Sequence, residues 1–305
     1  MKEFYSHGKL LLSGEYLVLD GALALAVPTR PGQWLRVRAS ENPGLSWKSL
    51  NPDGTPWFET HFREGTFDGA QVSGNFPSTT RERLRYLLLK CRDMKPDFSG
   101  ALRNAEVETF LEFPREWGLG TSSTLLANLA TWAGIDPYAL LRNTMGGSGY
   151  DIAAAGSEAP IYYRLEEGQP KVVKAPFNPL FSRELFFVYL NEKQDSREGI
   201  SRYRTRHFDK AKALRQASQL TRQMAGAREI QEFREAMDNH EDLISRILGM
   251  DPVKKRRFPD YPGSIKSLGA WGGDFILATG NPSHQDYFRK KGYPVVKPFS
   301  ELLLA

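Results

Sequence analysis

The sequence predicts an α+β protein of two domains, and three observations carry that prediction. At 305 residues the chain is longer than one core ordinarily organises, so two domains of roughly 120–180 residues are expected. The first half reads mainly as strands, whereas long helical patterns dominate after about residue 180. The parallel strand–helix–strand rhythm of a doubly wound sheet is absent.

Each element has a local reason. "WLRVRAS" at 34–40 alternates in and out as a half-buried strand does. "LSWKSL" and "PWFETHF" flank the turn sequence "NPDG" and predict a hairpin. Thr79 and Glu82 form a capping pattern ahead of a helix with Leu84, Leu87, Leu88 and Cys91 in register. "EVETFLEF", 106–113, is a strand that runs into "PREWGLGTSSTLLANLA", 114–130. That stretch opens as a glycine loop and continues as a helix burying Leu125, Leu126, Leu129 and Ala133. Asp136–Pro137 starts a short helix through Asn143. "PIYYRL" and "KVVKAPF" are strands around Gly168 and Pro170.

Beyond "ELFFVYL", a strand, comes a polar segment and then two long helices. The second places Ile230, Phe233, Met237, Ile244 and Ile247 on one face and stops at Gly249. "DFILAT" is a strand, Asn281–Pro282 opens a helix ending at Gly292, and "PVVKPF" closes as a strand. The expected domains are 1–180 and 181–305.

Composition excludes several classes. A chain 40% hydrophobic and 25% charged, with 27 Gly and 19 Pro, is neither collagen-like nor of low complexity. One cysteine rules out an internal disulfide framework and any multi-thiolate metal site. Cys91 reads as a buried core thiol. Five histidines without HExxH argue against a dedicated transition-metal centre. The amino terminus lacks a secretory pattern and no long uncharged run occurs, so a cytoplasmic protein without a membrane partner is expected. The net charge of +5 suits an anionic ligand. Solvated helix ends account for the basic clusters at 202–207 and 254–257 more cheaply than a nucleic-acid surface, so no nucleic-acid partner is expected.

The stretch at 114–130 poses the functional question. Gly118 and Gly120 stand directly before Thr121, Ser122 and Ser123 at a helix start. Such a start is either an ordinary cap or a cradle for phosphate, because its N–H groups and dipole attract anions. It is not a Walker A loop, since no Gly-Lys-Ser/Thr follows, and it contains no G-x-G-x-x-G. Two other segments are equally rich in glycine: "HGKLLLSGEYLVLDGALALAVPT" at 7–29 and "SIKSLGAWGGDFILATG" at 264–280.

Taken in order, the three segments resemble the motifs of the GHMP kinases, the family of galactokinase, homoserine kinase, mevalonate kinase and phosphomevalonate kinase. The first is similar to P-G-K-x-x-L-x-G-E-Y/H, the second to P-x-x-x-G-L-G-S-S, the third to K-x-x-G-A-x-G-G. A fourth, "GSGYDIAAA" at 147–155, resembles the G-S-G-F/V-D segment of mevalonate-pathway members. The resemblance spans nearly the whole chain. It implies a two-domain GHMP kinase-like fold, with an N-terminal ribosomal protein S5 domain 2-like part and a C-terminal ferredoxin-like α/β sandwich.

It also implies ATP and Mg²⁺. Gly118, Leu119, Gly120, Thr121, Ser122 and Ser123 would wrap the nucleotide phosphates, with a Ser122 or Ser123 hydroxyl, Ser122 foremost, near the metal. Lys9 and Asp151 match the lysine and aspartate placed beside the acceptor oxygen. Asp151 would accept a proton or polarise the acceptor, and Lys9 would offset the transferring charge. Read without the resemblance, Lys9 is a solvated strand-end lysine and Asp151 a helix cap. Ser148 and Gly149, in the "GSGYD" segment, are expected at the substrate. Glu15 stands with them as a substrate-site residue, or else fixes its own loop. Lys266 and Gly269 are expected in the cleft wall, Gly269 through a positive φ. Ser196 and Arg197 fall where mevalonate-type kinases have a substrate-facing turn; Arg197 is either a clamp for carboxylate or phosphate or an ordinary surface arginine.

The pattern also departs from the family. Only 28 positions separate Ser123 from Asp151, so a helical excursion common in mevalonate-type kinases has been trimmed. Where mevalonate kinases carry a glutamate for Mg²⁺, this chain has Leu140 and Leu141. The metal would then rest on phosphates, waters and a serine. His7 replaces the usual proline, and Thr121 the first serine. "GEY", "GSGYD" and the missing acid look more like phosphomevalonate kinase than mevalonate kinase. The expected partners are a nucleotide and a small-molecule acceptor, with a homodimer left open. The expected activity is transfer of the γ-phosphoryl group of ATP to a hydroxyl or phosphate acceptor. A sugar or amino-alcohol kinase and a non-catalytic nucleotide-binding protein are the alternatives.

Overall fold

The computed structural model describes residues 1–70, 74, 76–192, 196–269, 271 and 273–305, with Ser196 and Arg197 described in their backbone only. The first half contains strands β1 (Lys2–Ser13), β2 (Ala24–Ala39), β3 (Leu45–Leu50) and β4 (Pro56–Phe62). Helix α1 (Thr80–Met94), strand β5 (Ala105–Leu111) and helices α2 (Thr121–Ala133), α3 (Pro137–Arg142) and α4 (Tyr150–Ala155) follow. Then come β6 (Ile161–Glu166), β7 (Gln169–Lys174), β8 (Leu185–Tyr189), α5 (Ser196–Thr205), α6 (Lys210–Gly226), α7 (Ile230–Leu248) and α8 (Val253–Arg257). The chain ends with β9 (Ile265–Ser267), β10 (Phe275–Thr279), α9 (Pro282–Lys290), β11 (Val296–Pro298) and α10 (Phe299–Leu302).

These elements form two compact units, the first from residues 1–8, 31–115 and 120–156, the second from 9–30, 116–119 and 157–305. In the first unit the "NPDG" turn closes the β3–β4 hairpin, with Gly54 at φ +80 and its N–H donating to the Asn51 carbonyl at 2.9 Å. Strand β5 lies parallel to β3 and antiparallel to the C-terminal half of β2. The core joins Leu35, Leu45, Trp47 and Phe62 from strands to Leu88, Leu126, Leu129 and Ile152 from helices. Cys91 is buried among them, and burial pushes its thiol up to about 12, as an inert core thiol requires. Thr79 caps α1, accepting the Glu82 N–H.

In the second unit the N-terminal half of β2 pairs with β6, which pairs in turn with β7. A separate antiparallel sheet runs β11-β8-β10-β9. Its inner strands β8 and β10 are buried at every residue, which explains their unbroken apolar runs. Helices α6 and α7 pack on each other, and Gly249 ends α7 in the left-handed conformation.

The structure corrects the sequence reading in places. The polar segment after β8 includes helix α5, which starts at Ser196. "PVVKPF" holds a strand of three residues and then turns into α10. Leu125 and Ile230 are half-buried at the margins of their apolar faces. Among the described residues no helix is long and apolar enough to cross a membrane.

Candidate active site

The glycine loop is built by backbone conformation. Gly118 has φ +67 and Gly120, the N-cap of α2, has φ +96. Both lie in the region that residues with a Cβ avoid. Because the N-cap is a glycine, no side chain caps α2 among the described residues. A helix start of this kind, with no side-chain oxygen at its N-cap, can present first-turn N–H groups to an external acceptor. The three hydroxyls divide by environment. Ser123 is buried and donates to the Gly120 carbonyl at 2.9 Å, Thr121 is half-buried, and Ser122 is exposed. Helix α2 is itself anchored from below: Thr124 Oγ1 donates to Gln33 Oε1 at 2.6 Å, and Asn128 Nδ2 to the Gln33 carbonyl at 2.8 Å.

Lys9 meets the first part of this loop. Its backbone N–H donates to the Leu119 carbonyl at 2.9 Å and its Nζ to the Gly118 carbonyl at 3.1 Å. A Cβ at Gly118 would fall 2.4 Å from Asp274 Oδ2, so a carboxylate packs where any other residue's side chain would begin. Asp274, which the sequence reading passed over, has φ +49 and is held by Leu190, whose N–H donates to its carbonyl at 2.7 Å. Gly118→Ala adds about 1–2 kcal/mol of left-handed strain besides that clash. It should weaken binding of the ATP analogue AMPPNP by about ten-fold or more, as titration calorimetry would read. Unchanged affinity would remove this loop from nucleotide binding.

Asp151 occupies the first turn of α4, after Gly149 at φ +87. Its Oδ1 accepts the Ile152 N–H at 3.1 Å, and it is half-buried. Ser148 and Gly149 are buried beside it in the chain. Helix α4 packs against α2, which brings the "GSGYD" segment to the helix that starts at Thr121. Leu140 and Leu141, the apolar pair noted in the sequence, are core residues of this unit. Among the described residues no three His, Cys, Asp or Glu side chains are grouped to hold a metal. The exposed Ser122 hydroxyl at a phosphate-ready helix start does fit Mg²⁺ carried in by phosphates.

Glu15 and Lys266 find each other across 251 positions, as a fully buried ion pair. Glu241 of α7 stands 3.9 Å from the same ammonium, and its oxygens accept Ser267 Oγ–H at 2.6 Å and the Trp271 indole N–H at 3.1 Å. His240 Nε2 accepts the Gly14 N–H at 3.0 Å, which requires a neutral ring; burial and the nearby ammonium hold its pKa well below the usual value. Burial raises the Glu15 carboxyl, with Lys266 opposing, and pushes Glu241 up to about 7. Two carboxylates thus share one ammonium. Glu15 lies between Gly14 and Tyr16, and Lys266 lies in β9. Gly269, just beyond, has φ +60. The side chains of Ser196 and Arg197 lie outside the described residues.

No family model matches the sequence, and no curated protein matches it. Solved structures do match in fold. Phosphomevalonate kinase of Streptococcus pneumoniae, solved with phosphomevalonate and AMPPNP, is 16% identical with a TM-score of 0.68, covering 95% of this chain and 96% of that one. L. major mevalonate kinase in complex with R-mevalonate is 15% identical with a TM-score of 0.64, over 95% and 90%. Lactococcus lactis galactokinase complexed with galactose is 12% identical with a TM-score of 0.63, over 95% and 88%. The chain has the fold these kinases share.

Proposed function

We propose that this protein, which carries the GHMP kinase fold along nearly its full length, transfers the γ-phosphoryl group of ATP to a small-molecule acceptor of the mevalonate–phosphomevalonate class. The observation that carries the reading is the uncapped, side-chain-poor start of α2, joined in sequence to the two carbonyls that Lys9 engages. A triphosphate needs several fixed donors and room for the backbone to approach, and this segment supplies both. The fold neighbours solved with AMPPNP, phosphomevalonate and mevalonate support the direction of the assignment.

In the reaction a bond forms between an acceptor oxygen and the γ-phosphorus while the bond to the ADP oxygen breaks. The chain's part is positioning and charge neutralisation. Backbone N–H groups at 119–123 hold the phosphates, and the Lys9 ammonium offsets charge on the transferring group. Where the acceptor is a hydroxyl, Asp151 takes its proton. A phosphate acceptor is already anionic and leaves Asp151 a polarising role. Mg²⁺, held by phosphates, water and the Ser122 hydroxyl, would supply further neutralisation of the triphosphate.

"GEY", "GSGYD" and the two core leucines in place of the acidic ligand favour phosphomevalonate over mevalonate. ADP release with mevalonate, phosphomevalonate, galactose and homoserine, with isolation of the phosphorylated product, tests the assignment. Turnover of phosphomevalonate is expected. Turnover of galactose alone rejects the acceptor class, and AMPPNP binding with no acceptor ever phosphorylated rejects the kinase.

A further inference from the structure

We infer that Glu241 is a positioning residue for the phosphate loop, acting through Ser267 and Trp271 on the chain segment that ends against Gly118. The inference rests on the kinase reading, and every group it uses lies in the second unit. Three donors converge on this one buried carboxylate: the Ser267 N–H at 3.1 and 3.2 Å, the Ser267 hydroxyl and the Trp271 indole. They secure the chain on both sides of Gly269. Trp271 itself has φ +47. A bulky aromatic in the left-handed region is strained and persists only where its surroundings fix it. Here the indole N–H bond to Glu241 and burial in a cluster with Leu17 and Ile244 hold it. Three residues on, Asp274 packs on Gly118, whose carbonyl accepts from Lys9 Nζ. Leu268, which adjoins Ser267, donates its N–H to the carbonyl of Phe275, the neighbour of Asp274, at 3.3 Å, so a shift at the Glu241 anchor reaches both the loop glycine and the lysine.

A carboxylate is required because all three hydrogens point inward to it. Glutamine keeps the shape but presents an NH₂ to donors, so one contact becomes a clash of hydrogens. The groups facing Glu241 are Lys266 from β9, with Glu15 beyond it from the Gly14–Tyr16 turn, and neutral His240 precedes Glu241 on α7. With burial holding the carboxyl near 7, the ionised acceptor becomes complete as the pH rises through that value. The kcat of the wild type should rise with it.

The test uses the full chain, an acceptor that the wild type phosphorylates, and AMPPNP binding. Glu241→Gln should lower kcat about ten-fold or more, weaken AMPPNP, and flatten the limb near pH 7. Phe233→Leu, a core truncation on the same helix that packs on Phe177 and Phe181 away from Trp271, should lower the thermal midpoint while leaving kcat and the pH profile unchanged. Trp271→Phe, which removes the indole donor and the larger ring while keeping an aromatic side chain in place, should move kcat in the same direction by less, and decides the matter if Glu241→Gln does not fold. Wild-type kinetics in the Glu241→Gln or Trp271→Phe protein overturn the inference, as does a Phe233→Leu protein that reproduces the loss. Should the wild type bind AMPPNP but phosphorylate nothing, the kinase reading fails alone, and AMPPNP affinity then decides for or against the positioning role. A wild type that binds no AMPPNP overturns both.

Discussion

Replacing Lys9 with methionine should lower kcat by about 10²–10³-fold, the usual effect of deleting one preorganised charge aimed at the transition state. Methionine keeps the length of the lysine stem and removes its ammonium. Lys9 keeps its backbone bond to the Leu119 carbonyl, and the methionine stem fills the same half-buried space. What is lost is the Nζ contact to Gly118 and the positive charge beside the loop. Asp151→Asn sorts the acceptors. With a hydroxyl acceptor the loss of the base should cost about 10²–10⁴-fold in kcat. With a phosphate acceptor the effect should be much smaller, because no proton has to leave. Steady-state kinetics of both variants on one acceptor measure this pair, and full activity in Lys9→Met contradicts the assigned role.

The second large effect is on stability. Lys266→Met strips the ammonium from a buried site holding Glu15 and Glu241. Breaking a buried ion pair on one side costs about 3–5 kcal/mol, because the remaining charge has no water to return to. The thermal midpoint should fall by on the order of 10 °C. Adding Glu15→Gln to the same protein should recover a large part of the loss, since the double variant no longer buries that lone carboxylate. Equal midpoints for Lys266→Met and wild type would mean that the pair carries no net stability. A double variant worse than the single would mean that Glu15 matters through its contacts instead of its charge.

The signals that sequence conveyed best were local. Thr79, Asp136 and Asn281 cap helices through side-chain oxygens, and Gly249 stops α7 with a left-handed residue. Each feature is decided within four residues, so one sequence suffices to read it. The "NPDG" hairpin is of the same kind. Helix α5 was missed because "SREGISRYRT" is mostly polar, with Ile200 and Tyr203 its only large apolar residues and no apolar stripe to announce it. The short β11 ends where Pro298 turns the chain into α10.

The buried charges were half legible. Glu15 and Lys266 drew notice through the glycine segments around them, but their pairing across 251 positions is a tertiary fact. His240 and Glu241 did leave a signal. They interrupt the apolar stripe of α7 at positions that helical spacing places inside, between Met237 and Ile244. Polar residues on an apolar face mark a buried polar site, and that pattern alone would have found them. Asp274 gave no such sign, since its importance comes from a glycine more than 150 residues earlier.

The central physical claim is that the backbone bend at 118–123 grips the nucleotide's phosphates. A crystal structure of the full chain with AMPPNP and Mg²⁺ tests it most directly. The account predicts the β- and γ-phosphate oxygens on the N–H groups of residues 119–123, with the Lys9 ammonium turned toward the γ-phosphate. AMPPNP seated elsewhere, with this bend touching no phosphate, would contradict it.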